Sequence, residues 1–164
     1  MLKSQKLTRK LLDSCLNKNI KLITAESCTG GLLSANITGI AGSSAVFSHG
    51  IICYSNESKI KFLNVGDKTL KSYGAVSFET VREMLTGLCK QADSKTLAIA
   101  ISGVAGPSGS ESKPVGLVFI GVKVSSYDTE VITEHKFGNI ERNKIQQKSV
   151  HEALKISLSI MKEI

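Results

Sequence analysis

Tryptophan is absent from this 164-residue sequence, and phenylalanine and tyrosine together supply only 5% of its residues. Proteins that bind single-stranded nucleic acid commonly stack bases on a row of such rings, which this sequence does not offer. Proline occurs only twice, and no linker rich in proline or serine interrupts the chain. We therefore predict a single domain over residues 1–164, long enough to bury about two-thirds of its unfolded surface.

Long hydrophobic runs are also missing. A membrane-spanning helix needs roughly 18 apolar residues, and the nearest candidate is the short run at 115–122. The first residues are polar and lack the apolar core of a secretory signal. These absences predict a cytoplasmic protein without a membrane partner.

Metal-ligating residues are few and scattered. The cysteines form no Cys-x-x-Cys pair, and the histidines stand far apart in the sequence. Such spacing favours neither a structural zinc site nor a redox pair, so we expect no metal and no cofactor. We interpret the cysteines as small apolar core residues in a reducing compartment. The residues concerned are Cys15, Cys28, Cys53, Cys89, His49, His135 and His151.

Negative charge is in short supply: 21 lysines and arginines against 14 acidic residues give a net charge of +7. This balance favours partners that carry phosphate, whether small phosphorylated ligands or nucleic acid, and does not choose between them. The lysines are spread along the chain instead of forming one stripe. A dedicated nucleic-acid-binding protein is therefore the less favoured interpretation.

Hydrophobic periodicity predicts alternating helices and strands. With an antiparallel pair late in the chain, this alternation indicates an α/β fold, a three-layer α/β/α domain around a mixed sheet. Ligands of such sheets bind beyond the carboxyl ends of the strands, here the turns at 25–31, 55–59 and 102–114. The predicted helices cover 4–18, 29–38, 78–92 and 140–162, with a short one after Ser55. Ser55 and Ser77 are predicted to cap helices. The predicted strands cover 20–24, 46–54, 96–101, 115–124 and 129–137, and the last two are predicted to form a hairpin.

The first of these turns carries a hydroxyl and a thiol, Ser27 and Cys28, directly after a strand. Gly30 and Gly31 allow close backbone approach, and the N–H groups of a new helix can bind an anion or an oxyanion. On spacing alone, an ordinary helix cap with packing glycines is favoured. The turn is not a Gly-x-Ser-x-Gly elbow, and the scattered histidines give a Ser–His–Asp triad no support.

The other two turns are weaker signals. Tyr54 and Lys59 place a hydroxyl and an amine at a strand end, although an exposed lysine at a helix start is the simpler interpretation. The turn at 102–114 is rich in glycine but matches neither a P-loop nor a dinucleotide fingerprint. Its backbone is suited to cradle a phosphate or a sugar, and a flexible surface loop is an equally open interpretation.

Several short blocks follow one another along the chain: TAESCTGG at 24–31, GSS at 42–44, YSNExK at 54–59, GAVS at 74–77, SGVAGP at 102–107 and KPVG at 113–116. In this order they resemble the CinA C-terminal domain family. The resemblance extends over nearly the whole chain, from about residue 5 to residue 160, and an ordered set of blocks is far more specific than any one of them.

The characterised members of that family are nicotinamide-nucleotide amidases. The resemblance therefore implies a three-layer α/β/α fold and hydrolysis of nicotinamide mononucleotide, a pyridine nucleotide, to nicotinate mononucleotide and ammonia. It also implies that the family's serine–lysine pair corresponds to Ser27 and Lys59, and its active-site tyrosine to Tyr54. A lysine acts as a base only when neutral, so we expect burial or a neighbouring cation to depress its pKa, and Tyr54 to hydrogen-bond the amine or relay its proton.

Substrate contacts can be assigned on the same basis. We expect main-chain N–H groups around Thr29, Gly30 and Gly31 to stabilise the oxyanion of the reaction. The loop that contains Gly103, Ala105 and Gly106 is expected to hold part of the nucleotide through its backbone. Arg142, at the start of the last predicted helix, is our candidate for the substrate phosphate, because a guanidinium can bind phosphate through two bonds.

Some positions depart from the family pattern, and other functions stay open. Ser110 stands where a glycine is frequent, Gln146 and Gln147 where arginine is frequent, and His49 where a glycine or another residue is common. These departures put substrate affinity in doubt more than chemistry. The alternative is a binding module that senses a nucleotide or contacts a competence or repair partner. We also expect a homo-oligomer.

Overall fold

In the computed structural model, which describes residues 2–110, 112–127 and 129–164, five strands form one sheet with helices on both faces. The predicted hairpin turn and glycine-rich loop include Asp128 and Glu111, which lie outside the described residues. The elements are α1 (Leu2–Asn17), β1 (Lys21–Glu26), α2 (Leu32–Thr38), a 3-10 turn (Ser43–Ala45), β2 (Phe47–Ile52), α3 (Asn56–Leu63), α4 (Asp67–Tyr73), α5 (Phe78–Lys90), β3 (Thr96–Gly103), β4 (Leu117–Val124), β5 (Thr129–Lys136) and α6 (Arg142–Glu163).

The sheet is mixed, with strand order β2-β1-β3-β4-β5. β1 runs parallel to both β2 and β3, whereas β4 pairs antiparallel with β3 and with β5, so the predicted hairpin is confirmed. At the end of β1, Glu26 lies opposite Ile52 of β2 and Ile101 of β3. The carboxyl ends of the three parallel strands therefore meet at one edge of the sheet, and the turns that follow them are neighbours.

Two hydrophobic clusters fill the spaces on either side of the sheet. α1, α2 and α6 cover one face, where Leu22 and Ile99 point, and α3, α4 and α5 cover the other, where Ile23 and Ala98 point. β3 is almost entirely buried because helices cover both of its faces, which explains its uninterrupted apolar run. The predicted α/β fold in three layers is confirmed.

Two differences from the predicted elements have local causes. α2 begins at Leu32, three residues later than predicted, because Gly30 and Gly31 adopt φ values of +58° and +98° that a helix does not accept. α4 was not predicted at all. Leu70 is its one buried residue, so the segment lacks apolar residues that recur at helical spacing. Among the residues that the structure describes, no helix is long and apolar enough to span a membrane.

Gly87 sets the distance between α3 and α5. A Cβ atom built on this residue would overlap the main-chain carbonyl of Leu63, the last residue of α3. Because that carbonyl is backbone, it cannot move aside as a flexible side chain could. The missing side chain thus lets α5 pack closely against α3, which carries Lys59.

We expect Gly87→Ala to lower the free energy of unfolding by about 2 kcal/mol, because overpacking outweighs the helix propensity that alanine adds. Denaturation by urea measures the change. Thr86→Ala, on the exposed side of the same helix, serves as the control and should stay within about 0.5 kcal/mol of the parent. A Gly87→Ala protein as stable as the parent would contradict this account of the contact.

Candidate functional site

A cavity of about 290 Å³ opens where the three parallel strands end. All three turns singled out from the sequence contribute to its wall, because the parallel strands bring them to the same edge. Residues 102–106 form one side. The polar residues of the wall include Ser27, Tyr54, Asn56, Lys59, Ser108 and Arg142.

A buried hydrogen bond joins Ser27 and Lys59 on the wall of this cavity. Lys59 Nζ lies 3.1 Å from Ser27 Oγ, 2.9 Å from the main-chain oxygen of Cys53 and 3.5 Å from that of Tyr54. The exposed fractions are 1% for Lys59 and 8% for Ser27. The simple interpretation of Lys59 as an exposed helix-start lysine is therefore wrong. The structure brings the two residues together as the family resemblance implied.

The start of α3 fixes the direction of Lys59. Ser55 is the N-cap: its hydroxyl accepts from the Ser58 amide at 3.2 Å, and the Ser58 hydroxyl accepts from the Ser55 amide at 3.1 Å. This reciprocal pair is a capping box, and it confirms the cap predicted at Ser55. Lys59 follows within the first turns of the helix, close enough to reach back to the carbonyls at the end of β2.

Glu26, the last residue of β1, is a functional candidate that the sequence analysis missed. Its carboxylate is completely buried and accepts hydrogen bonds from the amides of Gly31 (3.1 Å), Leu33 (3.0 Å) and Ser34 (2.8 Å), and from the Ser34 hydroxyl (2.7 Å). These are the amides that open α2 and have no partner within the helix. The carboxylate therefore caps α2 from the preceding strand.

This cap corrects the predicted role of Gly30 and Gly31. The Gly31 amide donates to Glu26 and the Gly30 amide donates to the Ser27 carbonyl at 3.0 Å, so neither is open to a substrate oxyanion. Both glycines are needed for their positive φ values instead. In the part of the chain that the structure describes, the amides of Cys28 and Thr29 have no oxygen acceptor.

Arg142, the first residue of α6, bridges two sides of the cavity mouth. Its Nη2 donates to the Tyr54 hydroxyl at 2.7 Å and its Nη1 to the Gly106 carbonyl at 2.5 Å. The Tyr54 side chain is 59% exposed. The predicted bond from the Lys59 amine to Tyr54 thus goes to the main-chain oxygen, while the hydroxyl pairs with Arg142. This geometry gives no support to Tyr54 as a proton relay.

The glycine-rich loop divides into a structural part and a part that faces the cavity. Gly103 still pairs with Val118 of β4, and a Cβ there would press on that strand, so its lack of a side chain serves the sheet. Gly106 has a φ of +81° and lies at the mouth with Ala105. Within the described residues, the amides of Ala105 and Gly106 have no acceptor, which makes them available to a ligand.

The Cys28 thiol lies beside Ser27 but is poorly suited to attack a substrate. Burial raises the pKa of this thiol to about 12, because the effect of burial exceeds the opposing effects of the Cys28 main-chain amide and of the charges of Arg142 and Lys59. A thiol with such a pKa stays protonated at neutral pH, and the thiolate is the reactive form. The hydroxyl of Ser27 is therefore the better candidate nucleophile of the two.

The positions that depart from the family pattern have different surroundings. Gln146 donates to the Cys28 carbonyl at 2.9 Å and so supports the turn, whereas Gln147 faces a separate groove. Ser110 lines the cavity, and His49 on β2 lies 3.2 Å from the Ser48 hydroxyl. Over the described ranges, no group of three or more His, Cys, Asp or Glu side chains could hold a metal ion.

Comparison with known proteins points to one family. The model of the CinA C-terminal domain matches residues 4–161. A CinA-like protein of Fusobacterium nucleatum is 45% identical over 152 residues, which are 90% of this chain and 36% of that protein. The chain spans about a third of the length of the curated relatives it matches.

Solved structures agree with this result. The competence/damage inducible protein CihA of Agrobacterium tumefaciens has a TM-score of 0.91 and 37% identity, over 98% of this chain and 96% of that one. A CinA superfamily protein of Klebsiella pneumoniae has a TM-score of 0.92 and 30% identity, over 98% and 99% of the two chains.

Thr29 offers a test of the turn itself. Its buried hydroxyl has no hydrogen-bond partner among the described residues, whereas the equally buried hydroxyl of Thr24 lies 2.8 Å from that of Ser34. We expect Thr29→Val to keep or raise the free energy of unfolding, by up to about 1 kcal/mol, and Thr24→Val to lower it by about 1 kcal/mol. Urea denaturation of both variants measures the difference, and the opposite order would contradict the assignment.

Proposed function

The chain belongs to the CinA C-terminal domain family, and from this we propose that it is a nicotinamide-nucleotide amidase, which hydrolyses nicotinamide mononucleotide to nicotinate mononucleotide and ammonia. The observation that carries the proposal is the buried contact of 3.1 Å between Lys59 Nζ and Ser27 Oγ on the wall of the cavity. A serine needs a base to become a nucleophile, and a lysine amine in hydrogen-bond contact is a known solution.

The surroundings of the amine suit this use. A neutral amine has two N–H groups and one lone pair. In this form Lys59 can donate to the main-chain oxygen of Cys53 or Tyr54 and use its lone pair to accept the hydroxyl proton of Ser27. Burial disfavours the charged form of an amine, as a lysine base requires.

The reaction then proceeds through an acyl-enzyme. Ser27 Oγ bonds to the carboxamide carbon while its proton passes to Lys59, and the carbonyl oxygen becomes an oxyanion that main-chain amides stabilise. Collapse of this intermediate breaks the C–N bond, and Lys59 returns the proton to the departing ammonia. Water, deprotonated by the same amine, attacks the ester and releases the carboxylate, and Ser27 recovers its proton.

The mouth of the cavity suits the phosphate of the nucleotide. Arg142 supplies a guanidinium there, and the amides of Ala105 and Gly106 are open donors beside it. The carboxamide would thus lie at Ser27 and the phosphate at the mouth. The net charge of +7 also attracts an anionic substrate.

Removal of either member of the pair should abolish turnover. We expect Ser27→Ala and Lys59→Met each to lower kcat at least about 1,000-fold, and the double variant to lose little more, because the two groups act as one unit. Ammonia release from nicotinamide mononucleotide measures the loss. Lys61→Met, an exposed lysine on the same helix, is the matched control and should keep kcat within twofold.

Two other results would contradict the proposal. If Ser27→Ala keeps its activity and the further change Cys28→Ala abolishes it, the Cys28 thiol is the nucleophile. If the parent protein binds nicotinamide mononucleotide but releases no ammonia from it, its riboside or free nicotinamide, the chain is a nucleotide-sensing module.

A second experiment tests Arg142. Arg142→Ala should raise KM for nicotinamide mononucleotide about 10- to 100-fold, since a charge-assisted pair is lost, and should change KM for the riboside less than about threefold. Lys144→Ala, an exposed cation on the same helix, controls for net charge. An equal loss with both substrates would remove Arg142 from phosphate binding.

A further inference from the structure

We propose that Glu26 is a positioning residue of this reaction: its buried carboxylate holds the turn so that the amides of Cys28 and Thr29 can donate to the oxyanion. The inference rests on the proposed function for its substrate but on the structure for its geometry. Glu26 is the residue immediately before Ser27, and its side chain turns back onto the amides that open α2. The turn that carries Ser27 is therefore held at both ends by one residue.

The amides around Ser27 can be followed one by one. Every amide from 27 to 34 donates to an oxygen of the protein, apart from two within the described chain, those of Cys28 and Thr29. The amide directly after a nucleophile commonly serves as an oxyanion donor. The donor–acceptor pairs are Ser27 to Ile101, Gly30 to Ser27, Leu32 to Thr29, and Gly31, Leu33 and Ser34 to Glu26.

Without the carboxylate, the amides of Gly31, Leu33 and Ser34 would lose the acceptor that satisfies them. The turn that carries Cys28 and Thr29 would then lose the contact that fixes its far end. Glu26 supplies this contact from a completely buried position. Ser34 completes the arrangement, because its hydroxyl donates to Glu26 and also lies 2.8 Å from the Thr24 hydroxyl.

Glu26→Gln removes the charge and sets an NH2 group against main-chain N–H groups. In the full chain we expect kcat to fall about 100-fold while KM changes less than about threefold, because the donors move relative to Ser27. Glu83→Gln is the matched control, since the Glu83 carboxylate caps α4 through the Gly66 amide and the Thr69 hydroxyl, away from the cavity. It should lose thermal stability like Glu26→Gln and keep kcat within twofold.

Ser34→Ala provides a milder variant in case Glu26→Gln does not fold. It removes one bond to Glu26 and the contact with the Thr24 hydroxyl, and it leaves the carboxylate and all of the amides in place. We expect kcat to fall about fivefold with KM unchanged. If kcat of this variant, and of any folded Glu26→Gln, lies within twofold of the parent, the inference is wrong.

A covalent probe separates this inference from the proposed function. An alkyl fluorophosphonate forms a bond from Ser27 Oγ to phosphorus as the P–F bond breaks; fluoride leaves, the serine proton passes to Lys59, and the phosphoryl oxygen takes the oxyanion position. The labelling rate, followed by mass spectrometry, should fall at least tenfold in Glu26→Gln, about fivefold in Ser34→Ala and not in Glu83→Gln.

The outcomes separate the two claims. A parent that labels at Ser27 but hydrolyses no amide overturns the proposed function, and the labelling rates of the variants still judge Glu26. Unchanged labelling of the Glu26 and Ser34 variants overturns the positioning role and leaves the amidase standing. If the parent releases ammonia but does not label, kcat of the variants judges Glu26, and a parent that does neither overturns both claims.

Discussion

A buried lysine amine needs oxygen partners, and the position of Lys59 depends on two main-chain carbonyls. The carbonyls of Cys53 and Tyr54 are available because β2 ends at Ile52 and the chain leaves the sheet there. The capping box at Ser55 then starts α3 at once, and the absent side chain of Gly87 lets α5 hold that helix close. A strand end, a cap and a helix contact thus serve one polar side chain.

The carboxyl ends of the three parallel strands could be predicted from the sequence to within two residues, since apolar runs bounded by small residues mark the buried β1 and β3. Ser55 and Ser77 were also predictable, because a cap is a local signal of a few residues. The burial of Lys59 was not predictable, because buried positions are recognised from the spacing of apolar residues and a lysine does not contribute to that pattern. The family resemblance alone identified Lys59.

Glu26 was missed for a different reason. Its partners are mainly main-chain amides, which every residue but proline has, so no sequence pattern identifies them. The orientation of Tyr54 could not be predicted either, since a tyrosine at a strand end can turn its hydroxyl or its main-chain oxygen towards a neighbour. Local patterns predicted where the chemistry lies, and long-range contacts decided which atoms take part in it.

The bridge that Arg142 makes between Tyr54 and Gly106 joins segments that are synthesised at very different times. Ser27 and Lys59 are 32 residues apart, whereas Arg142 is 88 residues beyond Tyr54 and α6 follows the other described elements along the chain. A nascent chain that emerges from the ribosome holds both members of the buried pair long before it can close the mouth of the cavity. During synthesis the site therefore matures from its floor outwards, and its entrance is finished last.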